Sequence, residues 1–142
     1  EESIDIDPFY PFTYIAMTDA LAACAAAQTD ENVSEELYVL ASETLAEGLT
    51  LDPRNVRGWL RLGQIRQQIG DYEGALRALS EARAVDRAGS VPSWNIDYAE
   101  ASVHGDMGDT AMARALAEQA LRSAPPDAAA QIEAFLVGLA EE

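Results

Sequence analysis

The sequence predicts an all-α solenoid built from repeated helix-turn-helix units, with one further helix at its C-terminal end. Three observations carry this prediction. Small residues recur at equivalent positions with a spacing near 34 residues. Apolar residues within each unit follow the period of an α-helix. A glycine followed by an aspartate separates the two helices of a unit, as expected where one helix ends and the next begins.

The repeat is visible when the chain is aligned on its small residues. Ala41, Ala75 and Ala113 begin three equivalent rows, which are separated by 34 and 38 residues. The additional residues of the second step fall around 88–92, in a linker between helices, where an insertion is tolerated. A chain of 142 residues therefore holds about three units in one domain.

The middle unit shows how the elements follow from the residues. The apolar positions of Val56–Ile69 recur with a helical period, which predicts the first helix of the unit. Gly70 ends that helix, and Asp71 caps the next one. The third unit repeats this turn with Gly108 and Asp109. The second helices bury stripes of small residues: Ala75, Leu79 and Ala82 in the middle unit, and Ala113, Ala117 and Ala120 in the third.

The first and last helices are less regular. The sequence predicts a long, Ala-rich helix over 11–28 and a second helix over 35–50, with Ser34 as its N-cap. Cys24, within the Ala run, is predicted to be a small buried residue. A final helix over 128–140 follows Pro125 and Pro126 and covers the last unit. Its apolar face consists of Ile132, Phe135, Leu136 and Leu139.

Nine residues of the middle unit follow a known order: Trp59, Leu62, Gly63, Gly70, Asp71, Tyr72, Ala75, Leu79 and Ala82. This order resembles the tetratricopeptide repeat (TPR) family. The resemblance implies an all-α, right-handed solenoid of helix-turn-helix repeats, about three repeats plus a C-terminal capping helix. It places the units at about 12–53, 56–89 and 94–127, between an N-terminal arm at 1–11 and the capping helix at 128–142.

The match to the family pattern has three departures. Arg66 replaces the usual Tyr of the first helix, and Arg87 stands where Pro is common. Asp97 occupies the position of the large aromatic residue in the third unit. Trp94, three residues earlier, is expected to replace that aromatic in part.

The charge of the chain limits its function. Asp and Glu number 25 against nine basic residues, all of them Arg, and the net charge is −16. Such a surface repels phosphate backbones and anionic lipid headgroups, so nucleic-acid binding and membrane binding are not expected. The acidity is interpreted either as a solubility device or as a means of steering a basic partner to the outer face.

The residue inventory argues against catalysis. One Cys and one His cannot build a zinc site, and a chain without Lys has no Schiff-base chemistry. No metal, cofactor or catalytic residue is therefore predicted, and the chain is not expected to be an enzyme. His104, on the first helix of the third unit, is interpreted as a packing residue with satisfied hydrogen bonds.

The first helices carry the candidate binding residues. Arg57, Arg61, Gln64 and Gln68 share one helix face in the middle unit. The TPR resemblance implies a concave groove lined by the first helix of each repeat, here by Arg57, Leu60, Arg61, Gln64, Gln67, Gln68, Asn95, Tyr98 and Ser102. The hypothesis is a protein or peptide partner held in this groove, with Arg57 and Arg61 as anchors and Tyr98 as an aromatic contact. In the alternative, the arginines pair with nearby acids such as Asp52 or keep this helix face solvated.

A second hypothesis concerns the N-terminal arm, which carries the aromatic residues Phe9, Tyr10, Phe12 and Tyr14. The arm either packs onto the first helix or docks the chain, with the first helical hairpin, as an accessory structural subunit of a larger complex, including one of the cell envelope. Glu1 in place of Met leaves open a cleaved export signal, a trimmed N-terminus or a further upstream segment. Export to the periplasm is one of these alternatives, and the compartment is left undecided.

Overall fold

Seven α-helices make up the part of the chain that the structure describes. The computed structural model describes the backbone of residues 11–86 and 91–140, and the side chains from residue 15 onward within these ranges. Phe9, Tyr10 and Arg87, and the side chains of Phe12 and Tyr14, lie outside the described residues, as does the predicted arm at 1–11 apart from the backbone of Pro11. The described ranges contain no strand. The helices are α1 (Pro11–Ala27), α2 (Glu31–Leu51), α3 (Val56–Ile69), α4 (Tyr72–Val85), α5 (Ser93–Asp106), α6 (Thr110–Leu121) and α7 (Pro126–Ala140).

Consecutive helices pack as three hairpins, α1 with α2, α3 with α4, and α5 with α6. The hairpins are stacked in a row, because α3 also packs against α2 and α5, and α4 packs against α5. Helix α7 covers α6 at the end of the row. Each unit thus contacts its neighbours along the chain, which is the organisation of a solenoid.

The turns predicted from Gly and Asp are confirmed. Gly70 and Gly108 have φ angles of 90° and 83°, in the left-handed region that favours glycine. The Asp71 carboxylate accepts a hydrogen bond from the backbone N–H of Gly74 at 3.1 Å. Asp109 accepts one from Met112 in the same way, at 3.3 Å. Each pair therefore ends one helix and caps the next.

Helix α2 begins four residues earlier than predicted. Its N-cap is Asp30, whose carboxylate accepts from the backbone N–H of Asn32 at 2.9 Å. Ser34, the predicted cap, lies inside the helix, and its hydroxyl donates to the carbonyl of Ala25 at 2.8 Å. Asp and Ser are both residue types that favour the N-cap position. Because Asp30 caps α2, the Ser34 hydroxyl is available for its hydrogen bond to α1.

The core consists of three clusters, each at a junction between hairpins. Leu45, Leu62 and Ile65 join the first hairpin to the second. Leu79 and Val103 join the second to the third. The third cluster covers the junction with α7 and contains Ala101, Ala117, Ala120 and Ile132. Removal of apolar surface from water, both within the hairpins and at these junctions, holds the row together.

Small residues in the second helices and in α3 let the helices of a hairpin approach closely. A Cβ atom added at Gly63 would lie only 3.0 Å from Cδ2 of Leu79 on α4. Ala75 and Ala82 on the same face of α4 are fully buried. The glycine of the repeat pattern is therefore required by the packing of α3 against α4.

The prediction for Cys24 is wrong, because its side chain is exposed. In α1 the buried positions are Thr18, Ala22 and Ala25, and Cys24 projects away from the face that they share. In an Ala-rich helix the polarity of the residues does not indicate which face is buried, so the sequence offered no signal here.

The departure at Asp97 is explained by a residue of the preceding hairpin. Asp97 is buried, and its carboxylate accepts from Nη2 of Arg83 at 2.9 Å. The same nitrogen donates to the Glu100 carboxylate at 2.8 Å. Partial burial alone would lower the pKa of Arg83, but the hydrogen bonds and charges of Glu100 and Asp97 outweigh it, and the pKa is raised above its ordinary value.

Arg66, the other departure within the described residues, and Trp94 also have structural roles. Arg66, in place of Tyr, donates from Nη1 to the carbonyl of Gly74 on α4 at 3.1 Å. Trp94 is half-buried and packs against the C-terminal cluster. The missing aromatic is thus replaced by an ion pair, and Trp94 serves the packing of the third hairpin.

Candidate functional site

An open cleft lies on the face formed by the first helices of the three hairpins. Its volume is about 560 Å³, and it is lined by α1, α3 and α5 with Tyr38 of α2 at its base. Five of the predicted groove residues line it: Arg61, Gln64, Gln67, Gln68 and Ser102. The structure therefore brings together residues from the middle and third units, as the groove prediction required.

Amide side chains of α3 contribute much of the polar lining of the cleft. Nε2 of Gln67 donates to the Ser102 hydroxyl at 2.9 Å and to the Asp106 carboxylate at 2.7 Å, which fixes its orientation. Gln64 and Gln68 lie on the same face of α3 and are exposed. An amide offers two donors and one acceptor group, so these side chains match the hydrogen-bonding groups of a peptide backbone.

Arg61 pairs with an acid from α1. Its Nε lies 3.4 Å from the Asp19 carboxylate, and Nη1 donates to the Gln64 side chain at 3.4 Å. Nε is buried and has no hydrogen-bond partner within the described part of the chain. Arg61 therefore pairs with an acid, as the alternative interpretation proposed, but that acid is Asp19 rather than Asp52.

Two further clefts adjoin the central one along α3. A small cleft of about 180 Å³ contains Arg57 and shares Asp19 and Arg61 with the central cleft. A larger cleft of about 510 Å³ contains Glu31 and Glu35. It shares Tyr38 and Gln68 with the central cleft. Neighbouring clefts thus share lining residues along α3, from its N-terminal to its C-terminal end, and we refer to the three clefts together below as the trough.

Three predicted groove residues stand outside the lining of the trough. Leu60 is buried in the cluster shared by the second and third hairpins, so its assignment to the groove is corrected. Tyr98 packs edge-on against Phe135 of α7, with ring centroids 5.7 Å apart and an angle of 85° between the rings. It therefore supports the capping helix. Asn95 is half-buried and lines none of these clefts.

The wall of the trough formed by α1 was missed by sequence reasoning. Asp19, Ala22, Ala23 and Ala26 contribute this wall. Their spacing of three, one and three residues places them on one helix face. Treating α1 as the first helix of a full repeat, like α3 and α5, would have identified them.

His104 does not belong to the trough. It lies near the end of α5, where its Nδ1 is 3.6 Å from the Asp109 carboxylate, too far for a hydrogen bond. This nitrogen is buried without a hydrogen-bond partner among the described residues. His104 is thus a partly buried packing residue, as predicted. The expectation that its hydrogen bonds are satisfied is wrong for Nδ1.

The comparison with known proteins rests on solved structures. No protein-family model and no curated protein matches the sequence. The structure is similar to that of a thermophilic TPR protein of Thermus thermophilus, with a TM-score of 0.79 and 21% identity over 96% of this chain. This chain spans 66% of that protein's length. The fold is a TPR-like solenoid.

A second solved structure extends the likeness. The type III secretion translocator chaperone SycD of Yersinia enterocolitica aligns with a TM-score of 0.59 and 19% identity. The alignment covers 88% of this chain and 84% of SycD. These similarities confirm the fold inferred from Trp59, Leu62 and Gly63, namely an all-α TPR-like solenoid with a capping helix. Among the described helices, none combines the length and apolarity that a membrane span requires.

Proposed function

We propose that the chain is a non-enzymatic protein-interaction module, acting as an adaptor or assembly factor, that holds a segment of a protein partner in the trough. The observation that carries this proposal is the central cleft of the trough, which α1, α3 and α5 line together. Polar side chains such as Gln64 and Gln68 line it and are exposed, so they contribute little to the core of the fold. They are available for a ligand.

The lining suits an extended peptide. The exposed methyl groups of Ala23 and Ala26 form an apolar wall on α1, and the amides of α3 face it across the cleft. A peptide between them would place small or apolar side chains against the wall and its backbone groups against the amides. Arg57 adds a planar group that binds a carboxylate through two hydrogen bonds.

The similar structures support the part of this proposal that the partner is a protein. SycD is a type III secretion translocator chaperone. Its fold matches that of this chain, and the trough described here offers a place for a protein segment. Fold alone does not specify function, so the test must address the trough itself.

The first test fills the trough without disturbing the core. Ala23→Trp places a large side chain in the cleft, whereas Ala20→Trp adds the same side chain to an exposed position outside it. Both variants and the native chain are used for affinity purification from the native host, with crosslinking through carboxylates because the chain has no Lys. The expected result is a stoichiometric partner that is retained by Ala20→Trp and lost by Ala23→Trp at unchanged helicity.

The same partner on all three proteins would contradict binding in the trough. Arg61→Glu is less suitable for this test, because it would set two carboxylates against each other at the contact between α1 and α3. A loss of binding could then reflect a loosened first hairpin rather than a lost anchor. Arg57, which has no salt bridge within the described residues, is the better position for charge reversal.

A second candidate function is favoured by the surface of α2. Val33, Leu40 and Leu51 are exposed and lie on one side of this helix, at the start of the row of hairpins. In this candidate the chain is an accessory subunit of a larger complex, docked through the first hairpin together with the arm at 1–11. Leu40→Glu should then abolish the association while Ala23→Trp leaves it intact, and the reverse pattern supports the trough.

A further inference from the structure

We infer that the trough selects an extended peptide carrying an acidic residue and a basic residue about five positions apart. The inference rests on the proposed function and specifies the ligand of the same site. It follows from the charges that line the trough along α3. One end of the trough is positive, the other end is negative, and the middle is close to neutral.

The end of the trough near the N-terminus of α3 is positively charged. Arg57 lines it, is exposed and has no salt bridge within the described residues. Ile15 and Leu45 provide its apolar surroundings. Partial removal from water strengthens the attraction of a guanidinium for a carboxylate, so this end suits an Asp or Glu side chain or a terminal carboxylate.

The end of the trough near the C-terminus of α3 is negatively charged. Glu31 and Glu35 of α2 line it on one side, and Asp106 of α5 lines the trough on the other. All three are exposed, and none forms a salt bridge within the described residues. Asp106 already accepts a hydrogen bond from Gln67, which holds its carboxylate over the trough. This end suits an Arg or Lys side chain.

The middle of the trough is close to neutral. The charge of Arg61 is balanced by Asp19 at 3.4 Å, and the neighbouring lining groups are amides and alanine methyl groups. A charged ligand residue placed here would lose hydration without gaining a free counter-charge. The segment between the two charged ligand residues is therefore expected to be uncharged.

The length of α3 sets the spacing. Arg57 and Gln68, which mark the two ends, are eleven residues apart, and a rise of about 1.5 Å per residue gives roughly 16 Å. An extended peptide advances about 3.3 Å per residue. The acidic and basic residues of the ligand should thus be separated by about five positions, and opposite charges placed next to each other should bind poorly.

The test uses a displayed library of random peptides, about twelve residues long so that they exceed the trough. The library is selected on the native chain, on Arg57→Glu and on Glu35→Lys. Matched controls are Arg77→Glu, at an exposed position on α4 outside the trough, and Glu36→Lys, next to Glu35 but outside the clefts. A selected peptide is then measured in solution by fluorescence anisotropy at several salt concentrations.

The native chain and both controls should enrich peptides with one acid and one base about five positions apart. Arg57→Glu should lose the preference for the acid and Glu35→Lys the preference for the base, each weakening the selected peptide by roughly tenfold or more. Reversing the matching charge of the peptide should restore binding. Enriched peptides that are merely basic, or that lack the spacing, would overturn this inference alone. Peptides that bind Ala23→Trp as well as the native chain, or no enrichment at all, would overturn the proposed function too.

Discussion

The ion pair between Arg83 and Asp97 predicts an asymmetric response to mutation. The Asp97 side chain is 4% exposed, whereas that of Arg83 is 45% exposed. Arg83→Met leaves a buried carboxylate without the only salt-bridge partner it has within the described residues. Asp97→Leu leaves an arginine that still reaches solvent and Glu100. The two substitutions remove the same contact, but their costs should differ.

The expected change in the free energy of unfolding depends on which charged group each substitution leaves without its partner. Loss of a hydrogen bond to a charged, buried group costs about 1.5–3 kcal/mol, so Arg83→Met should lower the free energy of unfolding by about 2 kcal/mol. Asp97→Leu removes a buried charge and adds apolar surface, so its cost should stay below about 1 kcal/mol. The double variant should lie within about 1 kcal/mol of the native chain, because neither charge remains buried alone.

Thermal and urea unfolding followed by circular dichroism measure these differences. For a domain of this size a change of 1 kcal/mol corresponds to about 3–5 °C in Tm, so Arg83→Met should lower Tm by about 6–10 °C. Arg77→Met, at an exposed position of the same helix, is the control and should change stability by less than about 0.5 kcal/mol. The double-mutant cycle then gives a coupling energy of about 1–2 kcal/mol.

Equal costs for the two single variants, with additive effects in the double variant, would refute this reasoning. The pH dependence gives a second check on Arg83. Because its folded-state pKa is raised, its contribution is fully present below the ordinary arginine pKa and is lost only as the pH rises through the raised value. The difference between native chain and Arg83→Met that arises from the arginine itself should therefore not decline between neutral and moderately alkaline pH.

Three further predictions concern the packing of the solenoid. Gly63→Val should destabilise the chain by about 1–3 kcal/mol, because its Cβ would meet Leu79. Gly138→Ala, its control with open space around the new methyl group, should be neutral or stabilising by up to about 1 kcal/mol in the same unfolding assay. Ile132→Ala should cost about 2–5 kcal/mol and speed amide exchange first in α7, whereas equal acceleration in α3 would contradict unit-by-unit stability. Asp71→Ala should cost about 0.5–2 kcal/mol through loss of the N-cap of α4, measured by the urea midpoint.

The helices of the second and third units were predictable because local chemistry and packing agree there. The bounds of α3 match the prediction, since Val56 opens an apolar period and Gly70 ends it with a positive φ. Asp71 and Asp109 cap the following helices as expected. At these positions one residue type is favoured by a backbone angle or an unsatisfied N–H group, so the sequence carries the information directly.

The site was harder to predict, because its composition depends on how helices from different hairpins meet. Leu60 fits a groove position by spacing, yet the approach of α4 and α5 buries it. Tyr98 fits as well, yet it supports α7 through Phe135. The Ala-rich face of α1 carries no polarity signal, so only its equivalence to α3 and α5 as the first helix of a repeat would have indicated the wall formed by Ala23 and Ala26.

The departures from the repeat pattern show how polar contacts connect different helices, both within a unit and between units. Arg66 reaches a carbonyl of the next helix, and Asp97 reaches an arginine of the preceding hairpin. Each unusual residue therefore has its partner on another helix, so it cannot be understood from its own helix alone. It follows that restoring the usual aromatic at Asp97 should stabilise the fold only if Arg83 is also replaced, because the single change would leave Arg83 next to a new apolar group. The stability of this solenoid thus depends on pairs of residues from neighbouring units as well as on the pattern within each unit.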